Sequence, residues 1–391
     1  MAEQSILVIN TGSSSLKFGL YAEEDGDEQV LFDGLADGIG QSSGTLEVKD
    51  GEGKTLRSEK IGFVSRHDAL THAAHWLDEL APGKPYAIGH RVVHGGPRLV
   101  THQAITPELV SELQACVHFA PLHIPMALQL IAEAEHAYAD VPQFACFDTA
   151  FHTTMPERAA RFPLSRQLYD EGIRRYGFHG LSYESIVYQL GSKLPSRVVM
   201  AHLGSGASLA AVKDGKSVDT SMGLTPTGGI PMATRTGDLD PGVLLYLQRA
   251  KKMDADSLEK LLNHDAGLKA LAGGTSDMRK LQQAADQGDH DAELAIEVFC
   301  LSIRKFVSAY AAVLGGLDML IFAGGIGEHS VRVRRAVCEG LRFLGVAIDD
   351  RKNQAANGTI STPGNSAQVC IVPSQEDRQI ARHCRALLRK S

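Results

Sequence analysis

The run Ile6-Leu-Val-Ile-Asn-Thr-Gly-Ser-Ser-Ser-Leu-Lys-Phe-Gly-Leu-Tyr21 decides how this chain is read. Four apolar residues make a buried-strand run, six small polar residues make a turn, and a second strand starts at Leu16. A second stretch, Val198-Val-Met-Ala-His-Leu-Gly-Ser-Gly-Ala-Ser-Leu-Ala-Ala-Val212, repeats this type and order. One such unit opens each half of the 391-residue chain. Two domains of related build are therefore expected, with the cleft between them as the default place for chemistry.

The pattern around these units alternates. Further antiparallel strands are expected over Glu23 to Ile61, a helix over Arg66 to Leu80 and a strand over Tyr86 to Val93. Pro107 to Ala137 reads as mostly helical with interruptions at Pro121 and Pro125, and Val141 to Phe147 as a strand. Asp240-Pro241 opens a helix to Ala250, and a long apolar-periodic helix runs from Asp289 to Leu314 and stops at Gly315-Gly316. Met319 to Phe322 is a core strand that ends in a turn, Gly324 to Glu328, followed by helix. Gln375 to Lys390 closes the chain with acids in its first turn and arginines in its last, which suits a helix dipole. The fold class is α/β.

With 43% hydrophobic and 22% charged residues, the composition excludes wholesale disorder and a multi-span membrane protein. A net charge of −7 argues against gripping a nucleic-acid backbone. The six cysteines are scattered without metal-like spacing and read as reduced thiols. Met1 to Ser5 shows no signal peptide, so a cytoplasmic protein without membrane partners is expected.

Several nucleotide and hydrolase motifs are absent. Ala210 and Val48 stand where the first P-loop glycine would precede Gly215-Lys-Ser217 and Gly53-Lys-Thr55. No G-x-G-x-x-G follows a strand, and there is no H-E-x-x-H or G-x-S-x-G. What remains is three small-residue turns leaving apolar strands: Asn10 to Ser15, Gly204 to Ser208, and Gly324 to Glu328. Singly, each suits a tight hairpin. Together they suit a polyphosphate cradled by backbone N–H groups. Lys17 adds either a point charge or a solvated strand edge.

Arginine and histidine recur in polar loops: His90-Arg-Val-Val-His-Gly-Gly96, Pro121-Leu-His-Ile-Pro125, Tyr176-Gly-Phe-His-Gly180 and Thr234-Arg-Thr-Gly-Asp238. Arg91 and Arg235 suit bidentate recognition of carboxylate or phosphate, although Arg235 also suits an ion pair with Asp238 or Asp240. His179 suits either a satisfied, half-buried ring or a polar cleft. Asp148 ends the strand Phe144 to Asp148, where side chains face crevices. Glu376 suits either helix-dipole compensation or service to Mg²⁺.

Val8-Ile-Asn-Thr-Gly-Ser-Ser-Ser-Leu-Lys17, Gly89-His-Arg-Val-Val-His-Gly-Gly96, Tyr176-Gly-Phe-His-Gly180, Asp219-Thr-Ser-Met-Gly-Leu-Thr-Pro226 and Ala323-Gly-Gly-Ile-Gly-Glu328 together resemble the acetate kinase (acetokinase) family. The matches come in family order, from Ile6 to the segment around Val372, Pro373 and Glu376. The resemblance implies the two-domain sugar kinase, Hsp70 and actin-like (ribonuclease H-like) fold with a nucleotide cleft. Its implied division is 1–149, with the helix 376–391 packing back on it, and 150–375 for the nucleotide. It also implies a homodimer and a reversible, Mg²⁺-dependent transfer from ATP to acetate giving ADP and acetyl phosphate, with Mn²⁺ as a substitute metal.

By position, the resemblance implies catalytic roles for Asp148, Arg91, His179 and Arg235. It implies a phosphate turn with Ser13 and Ser15, and metal service by Asn10 and Glu376. Nucleotide contacts are implied for Lys17, for His202, Leu203, Gly204, Ser205 and Gly206, for Asp277, Met278 and Arg279, and for Gly325, Ile326, Gly327, Glu328 and His329. Arg91, Val93, Leu122, Phe178 and Pro226 are implied for the acid and its methyl group. The family usually has Asn where Ser205, Ile124 and His329 stand, and Glu where Pro97 and Gly228 stand. Alternatives to acetate are propionate or a broader acyl range, and an alternative donor is pyrophosphate. From another class, an ATP-switched binding protein of the actin and Hsp70 type would explain the turns but give Arg91, Arg235 and His179 no task.

Overall fold

The computed structural model describes residues 4–11, 15–41, 43–81 and 83–390. The chain divides into two compact units: Met1–Ala150 with Gly180–Ser185 and Gln375–Ser391, and Phe151–His179 with Ile186–Ser374.

The first unit is built on an eight-stranded sheet. Five strands, β1 (Ile6–Thr11), β2 (Ser15–Glu24), β3 (Asp27–Asp37), β4 (Thr45–Asp50) and β5 (Thr55–Lys60), form an antiparallel meander. β6 (Ala87–Val92) pairs parallel to β1, and β8 (Gln143–Phe147) parallel to β6. The two-residue β7 (Gln103–Ala104) closes the edge against β8, so the order is 5-4-3-2-1-6-8-7.

β1 is apolar at successive positions because both its faces are covered. Ile6 and Val8 meet Ile380, Ala381 and Cys384 of the helix Glu376–Leu388. Leu7 and Ile9 meet Ala69, Ala73, Trp76 and Leu77 of the helix Arg66–Leu80, together with Leu130 and Ala134. The last helix rides close over β6 at Gly89, where a Cβ would lie 2.5 Å from Ile380 Cγ2 and 2.6 Å from Cys384 Sγ.

His90 is a core residue. Its Nε2 lies 2.6 Å from Gln143 Oε1, and burial pushes the imidazole down to about 4. Below pH ~6.5 the unfolded chain takes up a proton that folded His90 refuses until about 4, so stability should fall with pH across that window. Urea midpoints at pH 7 and pH 5 measure this slope, and His90→Gln should flatten it.

The second unit repeats the plan. β9 (Arg197–Leu203), β10 (Ala207–Lys213) and β11 (Lys216–Thr220) form an antiparallel meander. β12 (Met319–Ala323) and β14 (Gln368–Ile371) add in parallel, and the two-residue β13 (Gly358–Thr359) closes the edge. The order 11-10-9-12-14-13 matches 3-2-1-6-8-7 of the first sheet, so the repeated strand–turn–strand units head two copies of one topology. The long helix His290–Leu314 covers β9 and β10 and ends at Gly315, φ +73°.

Some boundaries differ from expectation. Pro107 to Ala137 splits into helices Pro107–Ala115 and Ile124–Ala137 around a short 3-10 turn, Val117–Phe119. Gly324 to Glu328 is a helical turn, Gly324–His329, because the Glu328 carboxylate accepts from Gly324 N–H at 2.9 Å and draws the segment into a coil. No helix among the described residues is long and apolar enough to cross a membrane.

Candidate active site

In the first unit the parallel strands aim their carboxyl ends at one place. Asn10 lies near the end of β1, directly opposite Lys17 on β2, Arg91 is on β6, and Asp148 follows β8. Arg91 grips the fully buried Asp148 with two hydrogen bonds, Nε to Oδ1 at 3.2 Å and Nη2 to Oδ2 at 2.5 Å. Its Nη1 donates to Asn10 Oδ1 at 3.3 Å, and Glu376 Oε2 lies 3.9 Å from its Nε. Burial opposes the charge on Arg91, but the carboxylates of Asp148 and Glu376 outweigh it and raise its pKa.

Asp377 belongs to this set and was not singled out by the sequence. It is 5% exposed, accepts from Asn10 Nδ2 at 2.8 Å and pairs with Lys17 Nζ at 2.6 Å. Asp377 also raises the Lys17 ammonium above its ordinary value. The signal available was a second acid beside Glu376 in the first turn of the last helix, which reads equally as dipole compensation. Ser15 begins β2, while Ser13 lies outside the described residues. Val93 is half-buried and Leu122 exposed.

In the second unit three segments converge. A Cβ on Gly206 would sit 3.2 Å from His179 Nε2 and 3.4 Å from Arg235 Nη1, so the β9–β10 turn, the Tyr176–His179 segment and the Arg235 loop face one point. His179 adopts the left-handed conformation at φ +60°, a strain that costs about 1–3 kcal/mol and persists where the surroundings impose it. Its Nδ1 is 2.9 Å from Ser208 Oγ, and its ring stacks on His202 with centroids 4.3 Å apart. Arg235 Nη1 donates to Pro226 O at 3.1 Å. Asp238 instead accepts from Gly229 N–H, and Asp240 caps the helix Pro241–Lys251. Phe178 is 1% exposed, a core residue, and Pro226 is half-buried.

Beside these groups lies a cavity of about 850 Å³. Gly204, Ser205, Asp277, Met278, Arg279, Gly325, Ile326 and His329 line it, as the sequence led us to expect of nucleotide contacts. Gln282, Gln283 and Asp286, which the sequence did not mark, also line it. Leu203 and Gly327 are buried and stand behind the wall, while His202 supports His179. Glu328 is engaged with the N–H groups of Gly324 and Ser374.

The Gly324–His329 turn is anchored from inside. Arg334 is fully buried and donates to the carbonyls of Gly327, Glu328 and Asn353 and to Asn353 Oδ1, each at 2.7 or 2.8 Å. Arg334→Met should leave these acceptors unsatisfied at about 1–3 kcal/mol each. Thermal denaturation should show a large loss of stability.

Glycine-lined turns, paired guanidinium–carboxylate groups and a cavity of nucleotide size on a duplicated α/β topology define a phosphotransferase. A model of the acetokinase family matches residues 5–382. An acetate kinase of Methylocella silvestris is 43% identical, covering 98% of both chains. The crystal structure of Porphyromonas gingivalis acetate kinase superposes with a TM-score of 0.88 at 35% identity, covering 98% of this chain and 100% of that one. A propionate kinase from Francisella tularensis gives 0.91 at 36% identity, covering 97% and 98%. The chain belongs to the acetokinase family.

Proposed function

We propose that this chain is a short-chain carboxylate kinase that transfers the γ-phosphoryl group of ATP to acetate, giving acetyl phosphate and ADP, reversibly. The observation that carries the reading is the convergence of Gly206, His179 and Arg235 beside the glycine-lined cavity. The family match and the acetate kinases among its relatives support it. In this reading the unit with the C-terminal helix serves the acid and the metal, and residues 150–375 serve the nucleotide.

Phosphoryl transfer needs alignment and charge cancellation rather than covalent help. Acetate is ionised at neutral pH and is itself the nucleophile, so no general base is required. Arg91 orients the carboxylate, and Arg235 and His179 neutralise charge that builds on the equatorial oxygens. Asp148 holds the Arg91 fork in one orientation. Val93, Leu122, Phe178 and Pro226 serve the acyl methyl group. Lys17 contributes charge to the phosphate turn of Ser13 and Ser15.

Asn10 Oδ1, Asp148 and Glu376 gather hard oxygen donors around Arg91, a donor set that fits Mg²⁺, or Mn²⁺ in its place. Asn10 and Glu376 would hold the ion, which neutralises phosphate charge when bound.

Trapping acyl phosphate with hydroxylamine tests the reading across acetate, propionate and butyrate with ATP or pyrophosphate. Product should depend on both ATP and the acid, with acetate preferred. One methylene is worth about 1–3 kcal/mol, so propionate should remain a measurable substrate, as similarity to a propionate kinase also suggests. ATP hydrolysis independent of any carboxylate would overturn the assignment in favour of an ATP-switched binding protein.

A homodimer in the cytoplasm completes the proposal. The helix Pro241–Lys251 buries none of its residues and exposes Val243, Leu245 and Tyr246, an apolar face that a second copy would cover. Sedimentation should show a dimer for the native chain and a monomer for Leu245→Asp/Tyr246→Glu. All six cysteines are free and buried, as suits a reducing compartment.

A further inference from the structure

Behind Asp148 stand three side chains that the proposed reaction does not use: His102, Glu184 and His383. β7 offers β8 only two residues, Gln103 opposite Ala145 and Ala104 opposite Phe144, so the ladder stops before Phe147. His102, just ahead of β7, supplies the missing acceptor, and Phe147 N–H donates to its Nδ1 at 3.0 Å. A backbone N–H can only donate, so this nitrogen carries no proton, and the neutral ring bears its proton on Nε2. That Nε2 lies 3.3 and 3.2 Å from the two oxygens of Glu184. His383 Nε2 meets Glu184 Oε2 at 2.7 Å, with the two imidazole rings 4.0 Å apart.

Burial opposes the charge on Glu184, but the hydrogen bonds from His102 and His383 prevail and hold the carboxyl down at about 2. The three elements joined here each border the reacting groups. β8 leads into Asp148. The helix Gly180–Leu190, which carries Glu184, starts with Gly180 N–H donating to Asp148 O at 2.9 Å. The helix Glu376–Leu388, which carries His383, begins with Glu376 and Asp377.

Two imidazoles and a carboxylate also make the donor set of a transition metal, and their ligating atoms lie within 4.8 Å of one another. The geometry at His102 opposes that use. A ligating Nε2 must be unprotonated, with Nδ1–H donating to an acceptor, and here Nδ1 faces a donor.

We infer that His102, Glu184 and His383 form a positioning network that fixes the Phe147–Asp148 end of β8 and, through it, the orientation of Arg91. The inference rests on the kinase reading for its effect on turnover, but not for its effect on the backbone.

Two substitutions at His102 separate its two nitrogens. His102→Asn places an amide oxygen near Nδ1 and keeps the acceptor for Phe147. His102→Gln places an amide N–H near Nε2, keeping the donor to Glu184 and losing that acceptor. His102→Gln should lower kcat for acyl-phosphate formation roughly ten- to hundredfold, the effect of a small misplacement of a reacting group, while KM for ATP stays near the native value. His102→Asn should recover most of the kcat. Hydrogen exchange at the Phe147 amide, followed by mass spectrometry on the full chain without substrate, should speed up in His102→Gln and remain slow in His102→Asn. Slow exchange in both variants, or equal loss of kcat in both, would overturn the network. Stoichiometric Zn²⁺ binding that Glu184→Gln abolishes would overturn it in favour of a metal site. If the native chain forms no acyl phosphate yet exchange follows the pattern above, the kinase reading fails and the network stands.

Discussion

Arg91→Ala should lower kcat for acyl-phosphate formation by about a thousandfold or more and should also lower the melting temperature. The first effect follows from removing a fork that presents parallel N–H donors to an oxyanion. The second follows from Asp148, which is fully buried and whose two oxygens both accept from Arg91. Breaking a buried pair by deleting one partner costs about 3–5 kcal/mol, because the other charge remains in a poor solvent. The two effects are separable. Arg91→Ala/Asp148→Asn should regain much of the lost stability, because the neutral amide needs no counter-charge, yet turnover should stay lost. Near-native kcat in a folded Arg91→Ala protein would refute the role. A double mutant no more stable than the single would show that Asp148 is paid for by groups other than Arg91.

Arg235→Ala should separate differently. The backbone of Arg235 is held by its own hydrogen bond, Arg235 O accepting from Met232 N–H at 3.0 Å, and alanine keeps it. The side chain donates to the Pro226 carbonyl, while the exposed Asp238 carboxylate accepts from Gly229 N–H. Stability should therefore change by about 1 kcal/mol or less. Turnover should fall by about a hundred- to thousandfold, the usual cost of losing one donor to developing charge. KM for ATP should move little, because the cavity lining does not include Arg235. Arg235→Lys should restore charge but not the planar fork, and so only part of the rate. A large fall in melting temperature for Arg235→Ala would assign this residue to structure instead.

Much of the fold was legible in the chain. Ile6 to Ile9 and Val198 to Ala201 are apolar without interruption because both faces of β1 and β9 are covered, and the glycine-rich turn 204–206 marks where the second meander reverses. His290–Leu314 was legible because 25 residues of helical period end in a left-handed glycine. The break that holds Pro121 was legible too, but Pro125 falls within the first turn of the second helix rather than interrupting it, and the 3-10 turn between the two helices was not foreseen. The helix Gly180–Leu190 went unread because it carries no side-chain N-cap and starts after a strained histidine.

Reading residues one segment at a time marked Asn10, Arg91, Asp148, His179 and Arg235 as candidates, since turn chemistry and strand ends are local properties. It could not mark Asp377, whose partner Asn10 lies 367 positions away, or Arg334, which looks from its neighbours like one more surface arginine on a charged helix. Nor could it show that His102 completes a ladder that β7 abandons. Periodicity and turns are imposed by backbone geometry on residues a few positions apart, so they are written in order along the chain. Which buried charge meets which partner depends on how sheets and helices pack, and packing brings together residues that share no spacing.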